Sequence, residues 1–275
     1  MSSIPLRRTV DIVRAAGLET AALAGQLLLS PTGLTPGRWP PPAPTCVHSP
    51  QPARRPGTAP PGHAPVLLLH GLFENRAVFT LLRHSLRSHG WEHVHALGYS
   101  PLTADVHGAA VRFGRQVVSA RQLYGGERVA VVGHSLGGLI ARYYVQHLGG
   151  SEHVHTVATL GTPHSGTPTA LLLHPLPLAR QLLPGSRTLR TLSAPAPDCG
   201  TRFLCFWGDC DPLVLPPGSA RLHHPDLLVE NIRVAGAGHL SLLLHPRVLA
   251  LLRQRLSTPP APAVGRPEPA DRLSA

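Results

Sequence analysis

Lysine is absent from this 275-residue chain; all 25 basic residues are arginine, set against 14 acidic ones. The formal net charge of +11 would ordinarily raise nucleic acid or an anionic membrane as a partner. Complete use of arginine in a chain rich in Ala, Pro and Gly looks instead like a coding-composition bias, and no nucleic-acid recognition module is visible, so no nucleic-acid partner is expected. Cysteine is scarce. Cys46, Cys199, Cys205 and Cys210 lack metal-site spacing. The last three fall within twelve residues, which leaves a disulfide among them and buried free thiols as alternatives. Two His-x-His pairs, His93/His95 and His153/His155, put imidazoles on one strand face, but no third ligand is spaced to join either pair. Metal and organic cofactors are therefore not expected. Internal repeats are also missing.

No apolar run is long enough to span a bilayer comfortably. The nearest, Ala15 to Leu29, is interrupted by Glu19, Thr20 and Gln26. With Arg7 and Arg8 ahead of it, residues 1–30 are expected to form an apolar or amphipathic helix. Three readings stay open: an imperfect signal peptide, an interfacial helix touching a membrane peripherally, or a helix docked on the domain. The compartment, cytoplasmic or membrane-associated rather than secreted, depends on which holds. Twelve prolines between residues 31 and 65 remove too many N–H groups for a helix or central strand, so residues 31–63 are an expected linker. Residues 259–275 are expected to be a disordered tail.

Between these flanks, apolar content is sufficient for a sizeable core, 43% of the whole chain against 14% charged residues. Pro65 to His70 (PVLLLH) is a short, wholly apolar run of the kind a strand buried on both faces shows. Phe79, Leu82 and Leu86 mark a helix face that Gly90 ends, and His93 to Leu97 is the next strand. Val106, Ala110, Phe113, Val117, Ala120 and Tyr124 recur at helical spacing up to Gly125 and Gly126. Strands follow at Val129, Val154 to Leu160, Phe203 to Trp207 and Asn231 to Val234, with a closing helix over Val248 to Leu256. This alternation predicts a mainly parallel sheet with helices on both faces, an α/β domain over residues 64–258. The segment Gly161 to Gly200 is long for a connection, and is either a helical excursion or a small cap over an acyl pocket.

The chemistry centres on VAVVGHSLGGLIARYYV, Val129 to Val145. An apolar strand runs into Gly133-His134-Ser135-Leu136-Gly137 and then into helix-spaced apolar residues. Gly133 and Gly137 leave room for a sharp strand-to-helix bend that presents Ser135 in a strained conformation. A serine hydroxyl needs a base, and the base needs an acid to fix its tautomer. Both follow in order. Asp211, preferred over Asp209, lies in GDCDPLV beyond a strand, and His239 lies in GAGH beyond the next. The loop His70-Gly71-Leu72-Phe73 beyond the first strand offers the Leu72 N–H as an oxyanion donor beside that of Leu136, with Gly71 allowing close approach. His134 is expected to have a local role at most.

Together HGLFENRAVF, GHSLGGLIARYYV, LGTPHSGT, GDCDPLV and GAGHLSL resemble α/β-hydrolases of the bacterial lipase and esterase group over about residues 64–256. The resemblance implies the α/β-hydrolase fold and hydrolysis of a small-molecule or lipid ester, with Ser135, Asp211 and His239 as triad and Leu72 and Leu136 as oxyanion donors. A thioesterase or acyltransferase would share these residues. A catalytically silent scaffold binding a lipid or partner is the rival from outside enzymology.

Overall fold

A computed structural model describes residues 16–25, 28, 63–99 and 105–257. The linker expected over 31–63 lies outside them apart from His63, as does the tail expected over 259–275. Residues 16–25 form helix α1. The domain then runs β1 (Val66–Leu69), a 3-10 turn (Arg76–Phe79), α2 (Thr80–Arg87), β2 (Val94–Leu97), α3 (Val106–Leu123), β3 (Val129–His134), α4 (Leu136–His147) and β4 (Val154–Leu160). It continues through a 3-10 helix (Pro168–Leu173), α5 (Pro177–Arg180), α6 (Arg187–Leu192), β5 (Arg202–Gly208), β6 (Leu228–Val234) and α7 (Pro246–Ser257).

The six strands form one sheet in the order β2-β1-β3-β4-β5-β6, with every pairing parallel. Alternation along the strands sorts the core into two layers. Leu67, Leu69, Val131 and Val157 face Phe113, Val117, Leu139 and Ile140 of α3 and α4. Val66, Leu68, Val132 and Leu204 face Leu82 and Leu86 of α2 and Leu252 and Leu256 of α7. β1, β3 and β4 are therefore buried on both sides, which explains their apolar sequences. β6 is one edge of the sheet and is mostly half-exposed, and Glu230 interrupts its apolar run, so the strand's start at Leu228 was not marked.

The chain leaves β1 toward β2 and returns on the other side of β1 as β3. Loops beyond the C-terminal ends of β1 and β3 consequently diverge, and such a switch point opens the crevice in which open parallel sheets bind ligands. Gly71, Leu72 and Ser135 all stand at this point. Close packing makes the glycines necessary: a Cβ on Gly133 would come within 2.6 Å of Gly138, and one on Gly137 would strike the Leu69 and His70 carbonyls. Residues 161–200 hold three short helical pieces rather than one long helix, tied to α4 by Arg142, which donates to the Leu192 carbonyl at 2.7 Å. Among the described residues, no helix is long and apolar enough to cross a membrane, no cluster suits a metal ion, and Cys199, Cys205 and Cys210 are free thiols.

Candidate active site

Ser135 is the residue between β3 and α4, with φ 51° and ψ −122°. Left-handed φ is costly for a residue with a Cβ, so surrounding contacts must impose it. They are present: the Ser135 N–H donates to the Leu160 carbonyl at 2.9 Å, and its own carbonyl accepts from Thr162 Oγ1 at 2.9 Å and from the Gly138 N–H at 3.1 Å. A Cβ on Gly71 would lie 2.9 Å from Ser135 Cβ, so the loop beyond β1 passes directly against the serine. Among the described residues, the N–H groups of Leu72 and Leu136 have no protein acceptor.

Asp211 and His239 stand in the loops beyond β5 and β6. His239 Nδ1–H donates to Asp211 Oδ2 at 2.8 Å, and both side chains are buried. The other carboxylate oxygen accepts from the N–H groups of Leu213 and Val214 at 2.8 and 2.9 Å, so the turn itself aims the acid. Burial works to raise the Asp211 pKa, but His239 and the two N–H donors outweigh it and hold the carboxyl below its ordinary value. Burial likewise works against a charged His239. The facing carboxylates of Asp211, Glu74 and Glu19 prevail and leave its pKa above the ordinary 6.5. Asp209 is engaged elsewhere, in an exposed ion pair with Arg233 at 2.6 Å and as acceptor of the Gly236 N–H at 2.7 Å.

The motifs did not disclose a second layer. Glu74, buried in the loop beyond β1, accepts the Gly71 N–H at 2.6 Å and His134 Nδ1–H at 2.8 Å. His134 Nε2 lies 3.2 Å from the His239 carbonyl oxygen. Both His134 nitrogens thus face acceptors. Desolvation pushes Glu74 upward, yet the neighbouring His134 and Gly71 hold its pKa below the ordinary value. His134 was expected to act locally at most. It in fact connects the loop beyond β1, the nucleophile turn and the histidine loop. An acidic residue four positions beyond the β1 apolar run was the available signal for Glu74, and it was legible only as a loop charge.

Residues 64–187 match the family described as alpha/beta hydrolase fold. With the sheet order above, that decides the architecture. The chain has the alpha/beta hydrolase fold. Its structure is similar to lipase BlEst2 of Bacillus licheniformis in mature form, at TM-score 0.63 and 17% identity, covering 76% of this chain and 96% of that one. Lipase B of Aspergillus fumigatus is similar at TM-score 0.61 and 18% identity over 75% of this chain, which spans 56% of that longer protein. The monoacylglycerol lipase of Paleococcus ferrophilus follows at TM-score 0.53 and 17% identity, with coverages of 71% and 96%. Lipases are thus among the structures that share this alpha/beta hydrolase fold, and the resemblance read from the motifs points to the same fold.

Proposed function

We propose that this alpha/beta hydrolase cleaves carboxylic esters through an acyl-enzyme on Ser135, as a lipase or esterase. The observation that carries the reading is the strained Ser135 at the end of β3, placed on the same sheet edge as the 2.8 Å Asp211–His239 pair. With Nδ1–H engaged by Asp211, His239 presents Nε2 as the free base. Ser135 Oγ attacks the ester carbonyl as His239 Nε2 takes its proton, and Asp211 stabilises the imidazolium so formed. The carbonyl oxygen becomes an oxyanion facing the N–H groups of Leu72 and Leu136, each worth about 3 to 4 kcal/mol of barrier in such a role. The imidazolium returns its proton to the departing alcohol. Water, deprotonated by His239, then attacks the acyl-serine and releases the acid. No step calls for a metal or an organic cofactor.

Support for an acyl substrate comes from the loops around this edge, where Phe73, Leu171, Leu172 and Leu213 are all exposed. The similar structures named above are lipases. Hydrolysis of p-nitrophenyl esters of short and long acyl chains, with Ser135→Ala alongside, tests the reading. Turnover that rises with chain length and vanishes in the variant supports a lipase, and turnover confined to short chains an esterase. Wild type inert on every ester, and unlabelled by a fluorophosphonate, would overturn it.

A further inference from the structure

Helix α1 lies outside the catalytic domain in sequence, yet its Glu19 meets the histidine loop. The carboxylate accepts the Leu240 N–H on Oε2 at 2.9 Å and the Ser241 N–H on Oε1 at 2.8 Å. These are the two residues immediately after His239. Ser241 begins a 3-10 turn, Ser241–Leu243, so two N–H groups that the turn cannot satisfy internally are satisfied by a charge brought from 221 residues away. Gly238, on the other side of His239, packs so closely that a Cβ there would run into the Glu19 side chain. Both neighbours of His239 therefore touch Glu19. Ala22, one turn further along the helix, is buried, while Leu18 and Leu23 remain exposed.

We propose that Glu19 is a positioning residue for His239, and that the N-terminal helix is a clamp which completes the site by fixing the backbone on either side of the base. The proposal rests on the hydrolase reading given above. Its physical basis is that the Asp211 bond fixes only the ring end of His239. The backbone end is held by the His134 contact to its carbonyl at 3.2 Å on one side and by Glu19 on the other. Without Glu19, the Leu240 and Ser241 N–H groups turn to water, and the loop gains freedom of the order that displaces a reacting atom by about 1 Å.

The charge has a second consequence. The groups facing His239 are Asp211 from the loop beyond β5, Glu74 from the loop beyond β1, His134 at the end of β3 and Glu19 from α1. Removing the Glu19 charge takes away one of the carboxylates that favour the imidazolium, so the acidic limb of the pH–rate profile moves to lower pH. A purely structural prop would leave that limb in place.

The test compares full-length wild type with Glu19→Gln and Glu19→Ala on a p-nitrophenyl ester from pH 5 to 9, together with amide hydrogen exchange at Leu240 and Ser241. The expected result is faster exchange at both amides and a plateau kcat lower by about ten- to a hundred-fold, KM staying within about two-fold. The acidic limb is displaced downward in both variants. Ala22→Arg, which unseats the helix while leaving Glu19 in the chain, should reproduce the loss. An active wild type whose variants keep its kcat and its acidic limb overturns the clamp. A wild type that neither hydrolyses esters nor takes up a fluorophosphonate overturns the hydrolase reading instead.

Discussion

Asp209 and Asp211 sit two residues apart at the end of one strand, and substituting each by asparagine separates their roles. In Asp211→Asn the Oδ1 acceptor can still receive the Leu213 and Val214 N–H groups, so the turn survives. The atom facing His239 Nδ1 can then be an amide nitrogen that donates. The imidazole must then move its proton to Nε2, the atom that serves as base in the proposed mechanism. The same exchange in serine hydrolases of this design lowers kcat by about 10⁴-fold, equivalent to about 5 kcal/mol at the transition state. Asp209→Asn loses an exposed ion pair to Arg233, worth at most about 1 kcal/mol after solvent screening, and leaves the His239 bond untouched. Steady-state hydrolysis of a p-nitrophenyl ester at pH 8 should show kcat falling about 10⁴-fold in Asp211→Asn and staying within about two-fold in Asp209→Asn. Thermal unfolding of both variants checks that the folds are intact. Comparable losses of kcat in the two variants, or a fully active Asp211→Asn, would refute the assignment.

Further expectations follow from the same geometry. His239 must be neutral to accept a proton, and its folded pKa is raised, so kcat/KM should fall with decreasing pH through a limb centred above 6.5; a limb centred below that value counts against the Asp211–Glu74–Glu19 field. Ser135→Gly should abolish turnover yet raise unfolding stability by about 1 kcal/mol, because glycine adopts φ 51° without strain; a stability loss in denaturant titration argues against stored strain. Glu74→Ala strips a buried carboxylate from His134 and the Gly71 N–H, and should cost about 3 to 5 kcal/mol of stability as well as activity, read by urea unfolding. Asp211 and Glu74 both have depressed folded pKa values, so their contribution is present above the ordinary 3.8 and 4.5 and disappears as pH falls through the folded values. Acid unfolding should be steeper in wild type than in Asp211→Asn.

Most of the architecture was legible because parallel strands buried on both faces write themselves as apolar runs. PVLLLH and VHTVATL became β1 and β4 with boundaries shifted by a residue at most, and the apolar strand from Val129 became β3, which runs on through Gly133 and His134. The helix stripe from Val106 to Tyr124 became α3, Val106–Leu123, for the same reason. β6 was harder. As an edge strand it alternates half-exposed polar residues with apolar ones, and Glu230 splits Leu228-Val229 from the rest, so only Asn231 to Val234 stood out of the seven-residue strand. The short helices between β4 and β5 were illegible as elements because Pro168, Pro177 and Pro184 break any long apolar period.

The residues placed at the site divide along the same line. Ser135, Asp211, His239 and the glycines belong to local turns, whose spacing is visible within five or ten residues. Glu74 and Glu19 act at sequence separations of 60 and 221 residues, on His134 and on the histidine loop. Nothing local to either sequence records its partner.

Those two hidden carboxylates change how the electrostatics of the site must be understood. The chain carries a formal charge of +11, with only 14 acidic residues, yet three of them, Glu19, Glu74 and Asp211, face one buried imidazole from three different segments. Burial alone would lower the His239 pKa and make its protonation during acyl transfer costly. Three carboxylates reverse that sign, and in the proposed reaction they would stabilise the imidazolium as Ser135 loses its proton. The same negative field would oppose the oxyanion that the proposed reaction forms on the substrate. His134 engages Glu74 at 2.8 Å and turns that carboxylate toward the elbow, and the Leu72 and Leu136 N–H groups would supply local dipoles where the oxygen sits. The proposed chemistry thus depends on separating two opposite demands within a few ångströms: carboxylates gathered around the base, and unengaged N–H groups gathered around the acceptor. A variant that removes a carboxylate should therefore shift the pH limb, whereas one that disturbs the Gly71–Leu72 loop should lower kcat and leave the limb in place. Glu74→Gln touches both sides and should do both at once.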